Sequence, residues 1–332
     1  MPSSKTLFLH IGWPKTGTTT LQNHLFSKHS DIINLNHEKL DDILNWLFYA
    51  RENAFERNKN KLQERLLAIF KAEESFNSTQ NVIFSCESLT SYSMFWRRMP
   101  TPFVHSPDPN QIARKLFLLF YGMKCFDCIK VIATIRKQDE FLKSFYAQLY
   151  NLCYKRYIQT NTFSRFVDYI SHDVPNNFVV DGLHYYNVIN TYGQLFGEDN
   201  IGVFVYEDFK NHKEDYLKSL SKFMSISEGE TIKLVSNKND NKRGGAANYP
   251  SDSRDLFTIL SHYKGKIFGE KTFGLSQSMI AKQMQSLVVP GKTLKGINLS
   301  NDQQILLFEE FKNGNMLLSE KYGLNLERYG YF

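Results

Sequence analysis

Thr6-Leu7-Phe8-Leu9-His10-Ile11-Gly12-Trp13-Pro14-Lys15-Thr16-Gly17-Thr18-Thr19-Thr20-Leu21-Gln22 is the stretch on which the fold turns. Its first six residues are short and mostly apolar, as a buried strand is. Gly12 and Gly17 then punctuate a turn, and the threonines lead into a helix expected over about residues 18–28. A strand, a glycine turn and a helix in that order bring backbone N–H groups and a helix N-terminus together, an arrangement suited to an anion. The glycines have the GxxxxG spacing of a phosphate-binding loop. Position 18, where the ATP-binding version has lysine, is threonine, and the turn's lysine sits earlier, at Lys15.

Outward from this turn, three more apolar, β-branched or aromatic runs are expected as strands: Asn81 to Cys86, Cys128 to Ile135 and Ile201 to Tyr206. Helical patterns separate them, over about 111–123, 139–157, 163–171, 182–196 and 214–224, with further helices near 251–263 and 302–322. A charged helical stretch over about 38–76 reads as an excursion from the sheet. Strands alternating with helices imply an α/β fold with a central parallel sheet flanked by helices in three layers, like that of P-loop proteins. The reading is of a single domain over 1–332 with helical insertions. Ligands of such sheets sit beyond the carboxyl ends of the strands.

The 332 residues are 42% hydrophobic and 22% charged, which is globular composition. No run approaches the roughly 20 apolar residues of a membrane span. The apolar run at Leu7–Ile11 is too short for a signal peptide, so a soluble, cytoplasmic protein is expected. The net charge of +6 suits an anionic ligand, but the cations are scattered rather than gathered in a stripe, which argues against nucleic acid as partner. Cys125 and Cys128 have CxxC spacing, but no second pair completes a zinc site, so both read as ordinary thiols and no metal is expected. Oligomeric state is not legible.

The position of Lys15 has chemical meaning. A lysine at position 18 would serve β- and γ-phosphates together with magnesium. A phosphosulfate carries less charge, and amides, hydroxyls and one lysine can balance it without metal. A lysine early in the turn reaches the bridging oxygen, where negative charge grows as the leaving group departs. Pro14-Lys15-Thr16-Gly17-Thr18-Thr19-Thr20-Leu21-Gln22 resembles the 5′-phosphosulfate loop of sulfotransferases that use 3′-phosphoadenosine 5′-phosphosulfate (PAPS), in the form seen in carbohydrate-type and bacterial members. The resemblance implies PAPS as sulfuryl donor, and 3′-phosphoadenosine 5′-phosphate (PAP) as product. It implies that Lys15 is catalytic and that Pro14, Lys15, Thr16, Gly17, Thr18, Thr19 and Thr20 bind the donor.

Two further segments carry anion chemistry. The strand CIKVIATI delivers Arg136 at its end, and Ser144 follows a little over two helical turns later, near the face of the helix start. An arginine fork and a hydroxyl together hold a phosphate. Arg136…Ser144-Phe145-Tyr146 resembles the family's 3′-phosphate segment, except that Lys137-Gln138 stands where proline is frequent. The loop Asn239-Asp240-Asn241-Lys242-Arg243-Gly244-Gly245 distantly resembles the segment that closes over that phosphate. Lys242, Arg243 and Gly244 are therefore further candidates for the cofactor, with a solvated basic turn as the alternative.

Sulfuryl transfer to a hydroxyl also needs a base across the sulfur from the leaving oxygen. Glu87, at the end of the strand NVIFSC, occupies the place where carbohydrate-type members have a glutamate; Ser88 is its neighbour. His37 and Asp41 are alternative bases. His10, inside the first strand, reads as a hydrogen-bonded core histidine, and Tyr206 and Glu207 as structural. The expected function is transfer of a sulfuryl group to a hydroxyl or amine, with a glycan or glycan-bearing molecule as acceptor. Alternatives are a P-loop kinase-like phosphotransferase and a non-catalytic nucleotide-binding relative.

Overall fold

Hydrogen bonding builds a sheet of five strands in the computed structural model, which describes residues 5–35, 37–73, 81–90, 108–150, 162–173, 178–238, 240, 254–255, 288–289 and 297–332. The strands are β1 (Thr6–His10), β2 (Ile32–Leu35), β3 (Asn81–Ser85), β4 (Cys128–Ile135) and β5 (Ile201–Val205), in the order β2-β3-β1-β4-β5. All four pairings are parallel. The chain runs from β1 to one edge, returns to β3, and then crosses β1 to reach β4. The carboxyl ends of β3, β1 and β4 therefore flank the point where the strand order reverses, the place where such sheets hold ligands.

Alternation along each strand feeds two cores. Leu7, Leu9, Val82, Phe84, Val131 and Ala133 face one way, with Trp13 among them. That side is covered by α2 (His37–Tyr49), α3 (Glu52–Ala72), α4 (Pro109–Phe120), α5 (Gln138–Leu149), α6 (Phe163–Asp168), α7 (Phe178–Leu183) and α8 (Tyr185–Phe196). Phe8, Ile32, Ile83, Ile132 and Phe204 face the other way. There they meet the segment after the glycine turn and α9 (Tyr206–Asn211), α10 (Lys213–Met224) and α11 (Glu228–Val235). Strands apolar on both faces require helices on both, which is the expected three-layer α/β arrangement. The two helices of the 38–76 stretch bury Leu40, Leu47, Phe55, Leu66 and Phe70 in the first core. A long helix, α12 (Asn301–Tyr322), opens on a capping box between Ser300 and Gln303 and ends at Gly323, φ 63.

Several local expectations are corrected. β2 was not expected; its four residues, IINL, form an edge strand too short to show a period. The helix after the glycine turn has one α-helical turn, α1 (Thr18–Thr20), and then winds as a π-helix over Leu21–Phe26. The single helix expected over 182–196 is two, broken at His184, whose ψ of 71 leaves the helical region. Trp13 Nε1 donates to the Gly182 carbonyl at 2.7 Å, so the break places a free carbonyl against the glycine turn. Within the helix expected near 251–263, Arg254–Asp255 instead pairs antiparallel with Val288–Val289; the rest of that span lies outside the described residues.

Candidate functional site

The glycine turn is tied to the sheet before it turns. Ile11 N–H donates to Ile132 O and Trp13 N–H to Thr134 O, both at 3.0 Å, continuing the β1–β4 ladder past the end of β1. Gly12 lies against the Thr134 hydroxyl and the His10 ring; a Cβ there would stand 1.9 Å from Thr134 Oγ1, so no other residue fits. Gly17 has φ 82, and a Cβ on it would meet the Phe209 ring at 3.0 Å. Thr16 is buried and its hydroxyl donates to Trp13 O at 2.5 Å, leaving the Thr134 hydroxyl to donate to Thr16 at 2.7 Å. Thr20 is also buried, and its hydroxyl accepts from the Asp240 amide at 3.0 Å. The Thr16 and Thr20 hydroxyls are thus engaged within the protein. Pro14, Lys15, Gly17 and Thr19 are the half-buried members of the turn.

Lys15 is one of two non-glycine residues at positive φ among the described residues, at 66. A lysine in this left-handed region carries backbone strain on the order of 1–3 kcal/mol, and its neighbours must hold it there. Arg136 does so: its Nη1 donates to the Lys15 carbonyl at 3.2 Å. Two residues expected at separate ends of a nucleotide are therefore joined in one hydrogen bond.

Glu87 follows β3 and opens a single 3-10 turn, Glu87–Leu89. The Cys86 amide donates to His10 O at 3.1 Å, so this strand end is zipped to that of β1. Thr18 Oγ1 donates to Glu87 Oε1, and the carboxylate lies within electrostatic reach of Lys15. Burial pushes the Glu87 carboxyl above its ordinary range, while the Thr18 bond and the Lys15 charge pull it back. Lys15, Thr18 and Glu87 thus form one cluster at the ends of two adjacent strands. Neighbouring Cys86 is buried, with its thiol pushed up to about 12, which makes it inert as a nucleophile.

Arg136 leaves β4 on the other side of the turn. Its guanidinium lies over the Tyr206 ring at 4.9 Å, and Nη2 is 3.6 Å from Glu140. Its own carbonyl accepts from the Tyr185 hydroxyl at 2.6 Å. Ser144 lies one turn of α5 beyond Glu140, half-buried, so the two share a helix face. Glu207 Oε1 accepts from the Lys137 amide at 3.1 Å. Sequence reasoning gave no role to Glu140 or to the stacking of Tyr206. The Arg-xxx-Glu spacing was a visible signal for the first; the second depends on β5 lying beside β4.

Asp41 is exposed on α2, the helix that follows the edge strand β2, and His37 begins that helix; the His37 side chain lies outside the described residues. His10 is buried, with Nδ1 2.7 Å from Ser85 Oγ and its pKa held down to about 3 by burial, in agreement with a core role. Lys242, Arg243 and Gly244 lie outside the described residues. Asp240, two positions before Lys242, is held by Asn23 and His24, each at 3.0 Å, on the π-helical turn after Thr20. Cys125 and Cys128 are free thiols. Among the described residues, no group of three or more His, Cys, Asp or Glu side chains gathers as for a metal, and no helix is long and apolar enough to cross a membrane. A cavity of about 460 Å³ opens between the start of α5 and α12, lined by Lys137, Gln138, Phe311 and Tyr331 among others.

No family model and no curated protein matches the chain. Among solved structures it is similar to a sulfotransferase from Alicyclobacillus acidocaldarius, at 15% identity, covering 78% of this chain and 91% of that one with a TM-score of 0.43. It is similar also to the sulfotransferase domain of the Synechococcus PCC 7002 olefin synthase, at 14% identity, 93% and 95% coverage and a TM-score of 0.40. A third is retinol dehydratase, solved with androsterone and the inactive cofactor PAP, at 12% identity, 96% and 80% coverage and a TM-score of 0.31.

Proposed function

We propose that the chain is a cytoplasmic, single-domain sulfotransferase that moves the sulfuryl group of PAPS onto a hydroxyl or amine, with a carbohydrate as the acceptor. One observation carries the reading: Lys15, Thr18 and Glu87 meet at the ends of two adjacent strands while Arg136 stands on the third, with threonine in place of a lysine at position 18. The residues fit the donor. The cations at the turn are one lysine and one arginine rather than a lysine poised over a triphosphate.

When bound, the donor supplies an activated sulfonate whose S–O bond to the 5′-phosphate breaks as the acceptor attacks. Glu87 takes the acceptor proton as the new bond to sulfur forms, and its raised pKa makes it a better base than an ordinary carboxylate. Lys15 balances the charge that the leaving 5′-phosphate gains. Thr18 orients the Glu87 carboxylate, and the amides of residues 16–19 hold the 5′ end, the Thr20 amide being donated to Gly17 O. Arg136 and Ser144 hold the 3′-phosphate, and Lys242, Arg243 and Gly244 close over it.

Incubating the protein with sulfur-labelled PAPS and a panel of glycans, amino sugars and simple alcohols tests the reading. Label should pass to a sugar hydroxyl or amine without added metal. Label confined to inorganic sulfate, or transfer seen only from ATP with magnesium, would overturn it.

A further inference from the structure

Arg136 is presented by a buried network whose far end is the C-terminus. Glu207 lies between them: Oε1 accepts from the Lys137 amide at 3.1 Å and Oε2 from the Tyr331 hydroxyl at 3.0 Å. Tyr331 is almost fully buried, and its carbonyl accepts from Asn315 Nδ2 at 3.0 Å. Asn315 in turn exchanges two bonds with the Gln138 amide, at 2.9 and 3.2 Å, and Gln138 also donates to Leu183 O at 3.3 Å. Both residues that follow Arg136 are therefore fixed by groups reached through the chain's penultimate residue.

Glu207 and Tyr331 both lie within electrostatic reach of Arg136, and Glu207 holds the amide that follows it. Arg136 leaves the end of β4 and has no helical ladder of its own, since α5 begins at Gln138. Beyond the holds on its carbonyl and guanidinium, its direction depends on the Lys137 peptide. A buried carboxylate that loses one of its donors is free to shift, and a shift weakens its bond to the Lys137 amide.

We propose that Tyr331 is a positioning residue for the nucleotide arginine, acting through Glu207 and the Lys137 amide to fix the direction in which Arg136 meets the 3′-phosphate. The inference rests on the sulfotransferase reading for its ligand but not for its geometry. It implies that Tyr331 belongs to the binding machinery although it touches no substrate.

The test compares Tyr331→Phe with Tyr329→Phe. Tyr329 loses the same hydroxyl two positions earlier, but its partner is Asp208, at 2.5 Å, not Glu207. Affinity for PAP is read by calorimetry, KM for PAPS and kcat by labelled transfer, and amide exchange by mass spectrometry over the peptide spanning Lys137. Y331F should weaken PAP about fivefold, the loss of one hydrogen bond of ordinary strength, raise KM with kcat within twofold, and speed exchange over 137–141. Y329F should leave all three unchanged, and Glu207→Gln, which keeps a carbonyl for the Lys137 amide, should lose less than Glu207→Ala. Equal losses in the two tyrosine variants, or PAP affinity within twofold of the parent in Y331F, would overturn the proposal. If the parent protein bound no PAP, the sulfotransferase reading would fail. The exchange comparison would still decide the positioning role: faster exchange in Y331F alone supports it, and unchanged exchange overturns it.

Discussion

The two sides of the glycine turn are built differently. On the β3 side, Lys15, Thr18 and Glu87 hold one another: a short turn, one hydroxyl and one carboxylate, each at a strand end. On the β4 side, Arg136 is held by Tyr206 beneath it, Glu140 beside it, Tyr185 on its carbonyl and Glu207 on the next amide. The first side places a charge close to a base. The second has many supports and places one fork. The difference suits a division between reaction and binding: a group that meets changing charge needs proximity, and a group that recognises a fixed charge needs direction.

Substitutions on the two sides should therefore differ in kind. The largest effect is expected from Glu87→Gln, which should lower kcat by about 10³-fold, within the range for losing a general base, with PAP affinity unchanged. Because burial raises the Glu87 pKa and the base acts as the carboxylate, the parent's rate should rise with pH through a limb above the usual carboxylate range. E87Q should lack that limb. Next is Lys15→Ala, with a loss of about 10²-fold in kcat and a much smaller change in PAP affinity, as for loss of one transition-state donor. Equal losses in rate and affinity would erase the distinction between the sides. Third, Arg136→Ala should weaken PAP by about 10- to 100-fold, the worth of a charged hydrogen-bonded fork, and Arg136→Lys should recover little of it.

The smallest effect concerns stability. His10 is buried neutral, with its pKa held down to about 3 from 6.5 by burial. Between those values the unfolded chain carries the extra proton, so stability rises with pH across this window. This contribution is fully present above pH 6.5 and is lost as pH falls toward 3. Thermal unfolding between pH 7.5 and 4.5 should show a slope that His10→Gln flattens by up to one proton. An unchanged slope would place the titration elsewhere.

The β3 side was largely legible in the sequence because its chemistry sits within a few residues of glycine punctuation and apolar runs. Lys15 is three residues past Gly12, and Glu87 is the first charge after NVIFSC. The α/β class followed from alternation for the same reason. The β4 side was legible only as Arg136 and Ser144. Its supports come from 70 residues away for Glu207, and from a further 124 for Tyr331, distances at which no local pattern exists. β2 stayed hidden because its four residues sit between two helices and pair only with β3. The π-helical winding of Leu21–Phe26 has no signature in residue type. The resemblance of the loop implied the threonines as ligands; the Thr16 and Thr20 hydroxyls are occupied with Trp13 and Asp240, contacts that only the folded turn defines.

The central claim, that a turn with its lysine at position 15 is shaped for a sulfonated nucleotide, is tested most directly by calorimetric titration of the protein with PAP, with adenosine 5′-phosphate and with ATP in the presence of magnesium. PAP should bind at least tenfold more tightly than either, with or without magnesium. Tighter binding of ATP with magnesium, or no preference for the 3′-phosphate, would contradict it.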